Sequence, residues 1–197
     1  SMLLKHFASE EALDVVATVR DAQEAARLRP LYPRVTFHCL QADCATEADI
    51  VGAIEDAKWV INAIGLIKQR IVESDWSLVE RAVRTNAIFS FVLARAALQA
   101  QFKVIQVATD CVFSGETGSY SETAVHDGYD VYGKSKSLGE VQSEAVINLR
   151  CSIVGPERSG GPSLLNWFLS QKPGAQVNGF ADHYWNGITT LHFARIC

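Results

Sequence analysis

Five short apolar runs alternate with stretches of helical spacing, and this alternation constrains the fold of the chain more than any other feature. The runs are rich in β-branched residues and cover 13–19, 35–40, 59–64, 102–108 and 146–153. Strands that are apolar throughout are typical of sheets buried on both faces. Fifteen residues lie between Val19 and Val35, enough for a helical crossover and more than a hairpin needs. The sequence therefore predicts a parallel, doubly wound α/β sheet.

Helical patterns fill the intervals between these runs, and the composition of the sequence changes after Ser152. We expect helices over 21–29, 46–56, 73–101 and 132–145. Beyond Ser152, glycine and proline are frequent at 155–162, which predicts a loop. Further elements are then predicted as a helix over 163–170, a strand over 175–180 and a helix over 189–196. This change of composition predicts a domain boundary after residue 153.

Composition excludes several classes of function. The 197 residues carry 18 Lys and Arg against 22 Asp and Glu, so the net charge of −4 does not suit binding to nucleic acid or an anionic membrane. The longest apolar stretch, 87–98, is interrupted by Ser90 and Arg95 and is too short to span a bilayer. Five cysteines without a C-x-x-C pair, and five histidines without metal-ligand spacing, indicate neither a disulfide framework nor a metal site. A reducing cytosol is the simplest setting.

The ligands of parallel sheets bind beyond the carboxyl ends of the strands, which directs attention to the residues around those ends. Tyr132 and Lys136 stand four apart at the predicted start of a helix, and residues at this spacing share a helix face. A neighbouring ammonium lowers the pKa of a phenol, so the pair could act as an acid–base device. An exposed helix start is the alternative, and so short a motif does not decide between the two.

Polar and small residues follow three of the other runs. Thr109, next to Asp110, follows the fourth run, where a hydroxyl could donate to a substrate carbonyl oxygen or simply cap a turn. Gly65 ends the sequence NAIG after the third run, where a glycine lets the backbone approach a ligand or makes a plain turn. Arg20 follows the first run, where an arginine favours a 2′-phosphate or lies solvated on the surface.

The order of these motifs resembles the extended short-chain dehydrogenase/reductase family. The motifs are NAIG, a helix with Asn86, ATDCVFSG, YGKSK and LRCSIVGPE. Within the family, ATDCVFSG followed by YGKSKSLGE is most similar to the dTDP-4-dehydrorhamnose reductase branch of nucleotide-sugar reductases. The resemblance runs over nearly the whole chain. It implies a Rossmann-like NAD(P)-binding domain over 1–153 and part of a small substrate-binding lobe over 154–197.

The resemblance also implies roles for individual residues. Tyr132 would protonate the C4 oxygen of a keto sugar as hydride arrives from a nicotinamide, and Thr109 would hydrogen-bond the same oxygen. Lys136 would hold the nicotinamide ribose and lower the pKa of Tyr132, while Asn86 would support a proton relay. The implied cofactor-binding residues are Arg20, Asp43, Cys44, Ala63, Ile64, Gly65, Lys136 and Val154. The implied substrate-binding residues are Asp110, Cys111, Val112, Phe113, Asn178 and Trp185.

The cofactor and partners follow from the same resemblance. Arg20 favours NADPH, and Asp21 beside it leaves NADH open. The partner would be a nucleotide-sugar in the biosynthesis of a bacterial surface polysaccharide, with no nucleic acid and no membrane involved. A homodimer is compatible with the resemblance, and the sequence itself is silent on oligomeric state.

The sequence departs from the family pattern in two ways: in what its two ends contain, and at Cys111. The family opens with a strand and a G-x-x-G-x-x-G turn, whereas SMLLKHFASEE looks like the second half of the helix that follows such a turn. The family's substrate lobe also continues beyond the point corresponding to Cys197, so we expect this sequence to be part of a longer protein. The second departure is Cys111, where the reductase pattern usually has an aromatic residue, and it puts a substrate contact there in doubt.

Two other functions also fit the sequence: a nucleotide-sugar epimerase and a non-catalytic subunit that binds NADP. A nucleotide-sugar epimerase would use the same Tyr132 and Lys136. A dehydratase would be expected to carry an acid at the position of Cys111, and its absence counts against dehydration. A non-catalytic subunit that binds NADP and regulates another enzyme would keep the fold without turnover, because function lies in sites and not in folds.

Overall fold

The computed structural model describes residues 1–156 and 163–197, and its strands follow the predicted apolar runs. Five strands come first: β1 (Val15–Val19), β2 (Val35–Cys39), β3 (Trp59–Asn62), β4 (Lys103–Ala108) and β5 (Val146–Arg150). Two further strands are two residues long: β6 (Ile153–Val154) and β7 (Ile188–Thr189). The strand predicted over 146–153 is therefore two strands, because the chain leaves β4 after Arg150 and pairs with β7 from Ile153.

The helices confirm the alternation. They are α1 (Met2–Phe7), α2 (Ala22–Leu28), α3 (Glu47–Ile54), α4 (Trp76–Val83), α5 (Phe89–Ala100), α6 (Val131–Leu138), α7 (Leu164–Leu169) and α8 (Thr190–Ile196). Side-chain caps begin several of them: Asp21 accepts from the Glu24 N–H, and Thr46 accepts from the Asp49 N–H.

Two predicted elements are wrong. The helix predicted over 132–145 ends at Leu138, where Gly139 closes it. The strand predicted over 175–180 is an exposed irregular segment. In the part of the chain that the structure describes, no strand pairs with this segment, and a strand depends on packing against neighbours more than on intrinsic preference. Most of the predicted loop at 155–162 lies outside the described residues.

The strands run parallel, as predicted, in three groups. β1 pairs with β2, β4 lies between β3 and β5, and β6 pairs with β7. Between the first two groups runs an apolar groove of about 680 Å³ that is lined by both β1 and β3. The carboxyl ends of these parallel strands define the edge where a ligand would bind.

The main core lies where α3 and α5 cover the three-stranded group. Its buried side chains include Ile50 from α3, Val92 and Leu93 from α5, and Val104 from β4. A smaller cluster packs α2 against β1 and β2, with Leu4 of α1 at its margin. Burial of these apolar side chains is the main source of the stability of the fold and holds the helices against the strands.

The long helix predicted over 73–101 is present, with an irregularity in the middle. Asp75 caps the N-terminus of this helix, because its side chain accepts hydrogen bonds from the N–H groups of Ser77 and Leu78. A π-helical turn, Arg84–Ile88, then separates α4 from α5. Such turns are uncommon and occur frequently at functional sites.

The terminal helix α8 packs against α1 and buries Phe193 and Ala194. The last helix of the chain therefore contacts the first one, although both lie outside the two central groups of strands. Across the described residues, no helix is both long enough and apolar enough to cross a membrane.

Two neighbouring residues of α3 test where the core lies. We expect Ile50→Ala to lower the free energy of unfolding by about 2–5 kcal/mol, because Ile50 is almost fully buried and its loss leaves a cavity. Val51→Ala, on the exposed side of the same helix, is the matched control and should cost less than about 1 kcal/mol. Urea unfolding followed by circular dichroism measures both, and equal losses would contradict this placement of the core.

Candidate active site

The ends of β3 and β4 and the first turn of α6 meet at one edge of the three-stranded group. Asn62, the last residue of β3, donates from Nδ2 to Oε1 of Gln106 in β4 at 2.8 Å, and both side chains are buried. Its Oδ1 accepts from the backbone N–H of Ile64 at 3.2 Å. This amide pair ties the two strand ends together and shapes the NAIG turn that follows β3.

Thr109 is the first residue after β4, and its side chain is buried at the site. Its Oγ1 accepts from the backbone N–H of Cys111 at 3.2 Å, so the hydroxyl does cap a turn. The hydroxyl also lies beside the phenol of Tyr132. The structural and chemical interpretations of Thr109 are therefore compatible, because one oxygen can both accept a backbone hydrogen bond and donate its proton elsewhere.

Tyr132 is the second residue of α6, a helix that Asp130 starts by accepting from the Gly133 N–H at 2.6 Å. Burial raises the pKa of Tyr132, and the neighbouring Thr109 hydroxyl partly offsets this effect. The phenol is therefore held in its protonated form around neutral pH. Gly133 permits this arrangement, since a side chain there would overlap the carbonyl oxygen of Cys111.

Lys136 lies one helical turn after Tyr132 and is only 7% exposed. Its Nζ donates to the carbonyl oxygen of Val107 in β4 at 2.7 Å. Burial lowers the pKa of Lys136, and the charge of Glu140 opposes that effect. Burial is the largest influence on the phenol of Tyr132 and raises its pKa. The expected lowering of the Tyr132 pKa by Lys136 stays a prediction.

Asn86 lies in the π-helical turn and is 1% exposed. Its Oδ1 accepts from the Leu66 N–H at 2.7 Å, and its Nδ2 donates to the Leu66 carbonyl at 3.0 Å. The same Nδ2 donates to Oγ of Ser135 in α6 at 3.0 Å. Asn86 therefore lies next to the predicted site, and its amide joins the loop after β3 to the helix that carries Tyr132 and Lys136. A part in a proton relay stays a prediction.

A second groove of about 690 Å³ opens at the carboxyl ends of β1, β2 and β3. Five predicted cofactor-binding residues line it: Arg20, Asp43, Ala63, Ile64 and Gly65. Two arginines that sequence reasoning missed, Arg70 and Arg81, line it as well. Arg81 lies in α4 and pairs with Asp43 at 3.4 Å, a contact that no local sequence pattern indicates.

The other predicted cofactor residues lie elsewhere. Cys44 does not line this groove, and its Sγ contacts the carbonyl of Gln41 at 3.6 Å. Nζ of Lys136 contacts the Val107 carbonyl of β4, and Val154 lies in β6 opposite Thr189 of β7. The structure therefore brings five of the eight predicted cofactor-binding residues to one groove, and leaves Cys44, Lys136 and Val154 outside it.

The predicted substrate residues after β4 divide into two kinds. Asp110 and Cys111 lie at the site, close enough to influence the charge of Tyr132. Val112 is fully buried, and Phe113 stacks on Tyr120 with ring centres 4.4 Å apart. Full burial of Val112 does not fit the substrate contact predicted for it, whereas for the half-buried Phe113 that contact stays a prediction.

Asn178 and Trp185 lie on the exposed irregular segment between α7 and β7. Neither has a described contact with Thr109, Tyr132 or Lys136. The structure thus does not bring these two residues to the acid–base group, and their predicted contact with substrate stays a prediction.

Lys68 and Glu73 are two further residues that sequence reasoning missed. Nζ of Lys68 pairs with Oδ2 of Asp130 at 2.7 Å, and this hydrogen bond raises the pKa of Lys68. Oε1 of Glu73 accepts from the backbone N–H of Val131 at 2.9 Å. Both contacts fasten the loop after β3 to the first turn of α6. Their partners are distant in sequence, so no spacing rule could have found them.

Comparison with protein families agrees with this site. The model of the family described as the RmlD substrate binding domain matches residues 1–155, and the chain belongs to this family. The match confirms the resemblance that the motifs predicted. No functionally curated protein matches the chain in sequence.

The fold is shared with many solved structures, among them two reductases and an epimerase. The dTDP-4-dehydrorhamnose reductase of Clostridium acetobutylicum superposes with a TM-score of 0.65 at 20% identity, over 93% of this chain and 68% of that one. The Bacillus anthracis reductase, in complex with NADP, gives 0.58 at 19% identity, over 79% and 58%. A variant UDP-glucuronic acid 4-epimerase of Bacillus cereus, in complex with NAD and a UDP-sugar, gives 0.65 at 17% identity, over 80% and 55%. The chain thus spans 55% to 68% of the length of these structures.

A pair of glycines tests how closely α6 approaches the π-helical turn. A side chain at Gly139 would overlap the carbonyl oxygen of Asn86, so we expect Gly139→Ala to lower the free energy of unfolding by about 1–3 kcal/mol. Gly52→Ala is the control, since Gly52 lies exposed in α3 with open space around it. It should stabilise by about 0.5–1 kcal/mol through helix propensity. Urea unfolding of both variants decides the matter, and a neutral Gly139→Ala would contradict this close packing.

Proposed function

We propose that this protein is an NADPH-dependent reductase of a nucleotide-linked 4-keto sugar, with a reaction like that of dTDP-4-dehydrorhamnose reductase. One observation carries the proposal: Thr109 and Lys136 are buried where β4 ends and α6 begins, and the half-buried Tyr132 lies beside Thr109. Membership of the RmlD substrate binding domain family and the fold shared with two reductases support it.

In the proposed reaction, Tyr132 donates its hydroxyl proton to the carbonyl oxygen at C4 and becomes a phenolate. Thr109 donates a hydrogen bond to the same oxygen as negative charge develops there. Lys136 holds a positive charge one turn along the helix, where it stabilises the phenolate. When bound, the nicotinamide cofactor supplies the hydride. Because burial raises the pKa of Tyr132, the phenol keeps its proton until the substrate needs it.

The groove at the ends of β1, β2 and β3 fits the adenosine end of a nicotinamide dinucleotide. Ala63 and Ile64 offer apolar surface for the base, and Arg20 offers a cation at the position where a 2′-phosphate would lie. This favours NADPH and leaves NAD as the second choice. The structures of relatives hold NADP in one case and NAD in another, which supports a cofactor of this class.

We also propose that 1–153 is the cofactor-binding domain and 154–197 is part of the substrate lobe. The exposed side chains of Asn178 and Trp185 would then be free to meet the nucleotide-sugar. The five cysteines are free thiols, which suits a reducing cytosol where precursors of surface polysaccharides are made. A homodimer is compatible with this proposal.

A nucleotide-sugar 4-epimerase is the second candidate, because the Bacillus cereus epimerase shares the fold with a TM-score equal to that of the clostridial reductase. An epimerase first removes a proton from a sugar hydroxyl, which requires a phenolate. The raised pKa of Tyr132 keeps the phenol protonated, which is the form that a reductase needs at the start of its reaction.

Replacing the proposed acid tests the reaction. We expect Tyr132→Phe to lower kcat for the reduction of a nucleotide 4-keto sugar at least about 100-fold, because the proton donor is lost. Tyr32→Phe makes the same change far from the site and should leave kcat unaltered. NADPH oxidation at 340 nm, with dTDP- and UDP-linked 4-keto sugars as substrates, measures both variants.

Product analysis in the same assay separates the candidate functions. Conversion of a 4-hydroxy sugar to its epimer without net NADPH oxidation would replace reduction by epimerisation. Cofactor binding without turnover of any keto sugar would instead support the non-catalytic, regulatory function.

The cofactor preference has its own test. Arg20→Ala should lower the ratio of NADPH affinity to NADH affinity by about tenfold or more, because a hydrogen bond to a charged phosphate is lost. Arg27→Ala removes an exposed arginine of α2 that does not line the groove, and it should leave the ratio unchanged. Fluorescence titration with each nucleotide gives the ratio, and an unaltered ratio in Arg20→Ala means that Arg20 is not the selector.

A further inference from the structure

A buried ion pair lies behind the candidate acid–base group. The side chain of Glu140, two residues beyond the end of α6, is only 3% exposed. Arg150, the last residue of β5, grips it with two parallel contacts: Nε to Oε1 at 2.9 Å and Nη2 to Oε2 at 2.8 Å. The Nη1 of Arg150 also donates to the carbonyl oxygen of Glu122 at 2.7 Å. The carboxylate is therefore held in one geometry.

This position is unfavourable for a carboxylate in two ways. The carboxyl end of a helix carries partial negative charge, which repels an anion. Burial of a charge is also costly unless a partner compensates it, and a well-packed apolar pair often serves stability equally well. The stability of the fold alone does not call for an acid at Glu140.

The charge of Glu140 acts on Lys136, four residues earlier. The ammonium of Lys136 is buried, its described hydrogen bond is to the neutral carbonyl of Val107, and it is attracted by the Glu140 carboxylate. A neutral carbonyl does not supply the counter-charge that a buried ammonium needs. Glu140, four residues later and just beyond the end of α6, supplies it.

We propose that Glu140, fixed by Arg150, is a positioning residue that keeps the buried side chain of Lys136 in its charged ammonium form. Glu140 touches neither substrate nor cofactor in this account and acts only through Lys136. The inference concerns the charge of Lys136 and rests on the proposed function only for what that charge is used for.

Other titratable or charged groups among the described residues also face Glu140 or Lys136. Nε2 of His126, from the segment before α6, lies 3.7 Å from Oε2 of Glu140, and its Nδ1 is 2.7 Å from Oγ of Ser137. Cys151, just after β5, faces Lys136, but burial raises its pKa to about 11, so the thiol is neutral. Within residues 1–156 and 163–197, Arg150 is the cation bound to Glu140, and a cation there opposes the influence of Glu140 on Lys136. Removal of Glu140 should therefore lower the pH at which Lys136 titrates, and removal of Arg150 should raise it.

The protonation of Lys136 can be measured directly, without turnover. Lysines labelled with ¹³C at Cε report their titration by NMR, and the signal of Lys136 is assigned by its disappearance in Lys136→Met. We expect Glu140→Gln to favour the neutral amine by about tenfold, the effect of one nearby charge, so that Lys136 titrates at lower pH. Arg150→Gln should make it titrate at higher pH. Glu80→Gln, which opens the exposed Glu80–Arg84 pair, is the control and should change nothing.

The opposite signs separate an electrostatic role from a structural one. Both variants break the same ion pair, so a merely structural role would disturb Lys136 similarly in each. Movement of the titration in the same direction, or no movement in Glu140→Gln, overturns the proposal. If Glu140→Gln does not fold, Arg150→Gln carries the test alone, and an unaltered or lower titration point then overturns it.

Failure of the proposed function gives a different result. A protein that reduces no keto sugar but shows the two opposite NMR shifts would retain this inference and lose the reductase assignment. A reductase with unaltered Lys136 titration in Glu140→Gln would retain the assignment and lose the inference.

Discussion

The side-chain amide of Asn86 is the contact on which the geometry of the site depends. It accepts from and donates to the backbone of Leu66, and it donates to Ser135 in α6. Three separate stretches of chain therefore meet on one buried group whose hydrogen-bonding capacity is used on both sides. Loss of one partner would leave a polar atom buried and unpaired, which costs more than a typical hydrogen bond contributes. This contact fixes the helix that carries Tyr132 and Lys136 relative to the loop after β3.

Charge compensation is the second constraint. Lys136 is buried against a strand whose carbonyl accepts a hydrogen bond from the ammonium but cannot balance its charge. Glu140 balances it, and Arg150 in turn balances Glu140. The series alternates in sign from β5 to the helix and ends beside a phenol that holds its proton. Such an arrangement places a cation near an acid without requiring solvent, which suits the transfer of one proton to a substrate oxygen.

The general fold was predictable because its causes are local. Strands buried on both faces need continuous apolar sequence, and crossovers need length, and both can be recognised from the residues alone. The first residues after β4 and the Tyr132–Lys136 spacing were predictable for the same reason. The end of α6 was not, because Gly139 is required by the carbonyl of a distant residue, Asn86. Contacts such as Lys68 with Asp130 and Arg81 with Asp43 depend on the tertiary fold and leave no periodic trace in the sequence.

The π-helical turn has a consequence for how the long helix can vary. Each residue of an α-helix advances the side chains by about 100°, so one extra residue in a turn rotates everything before it relative to everything after it. In α5 seven side chains are buried, whereas in α4 only Ala82 is, and Arg81 of α4 faces the groove instead. The helix therefore consists of two independently oriented halves. Substitutions in the first half can retune what the groove accepts, while the second half continues to hold the sheet, so the two halves are free to diverge at different rates.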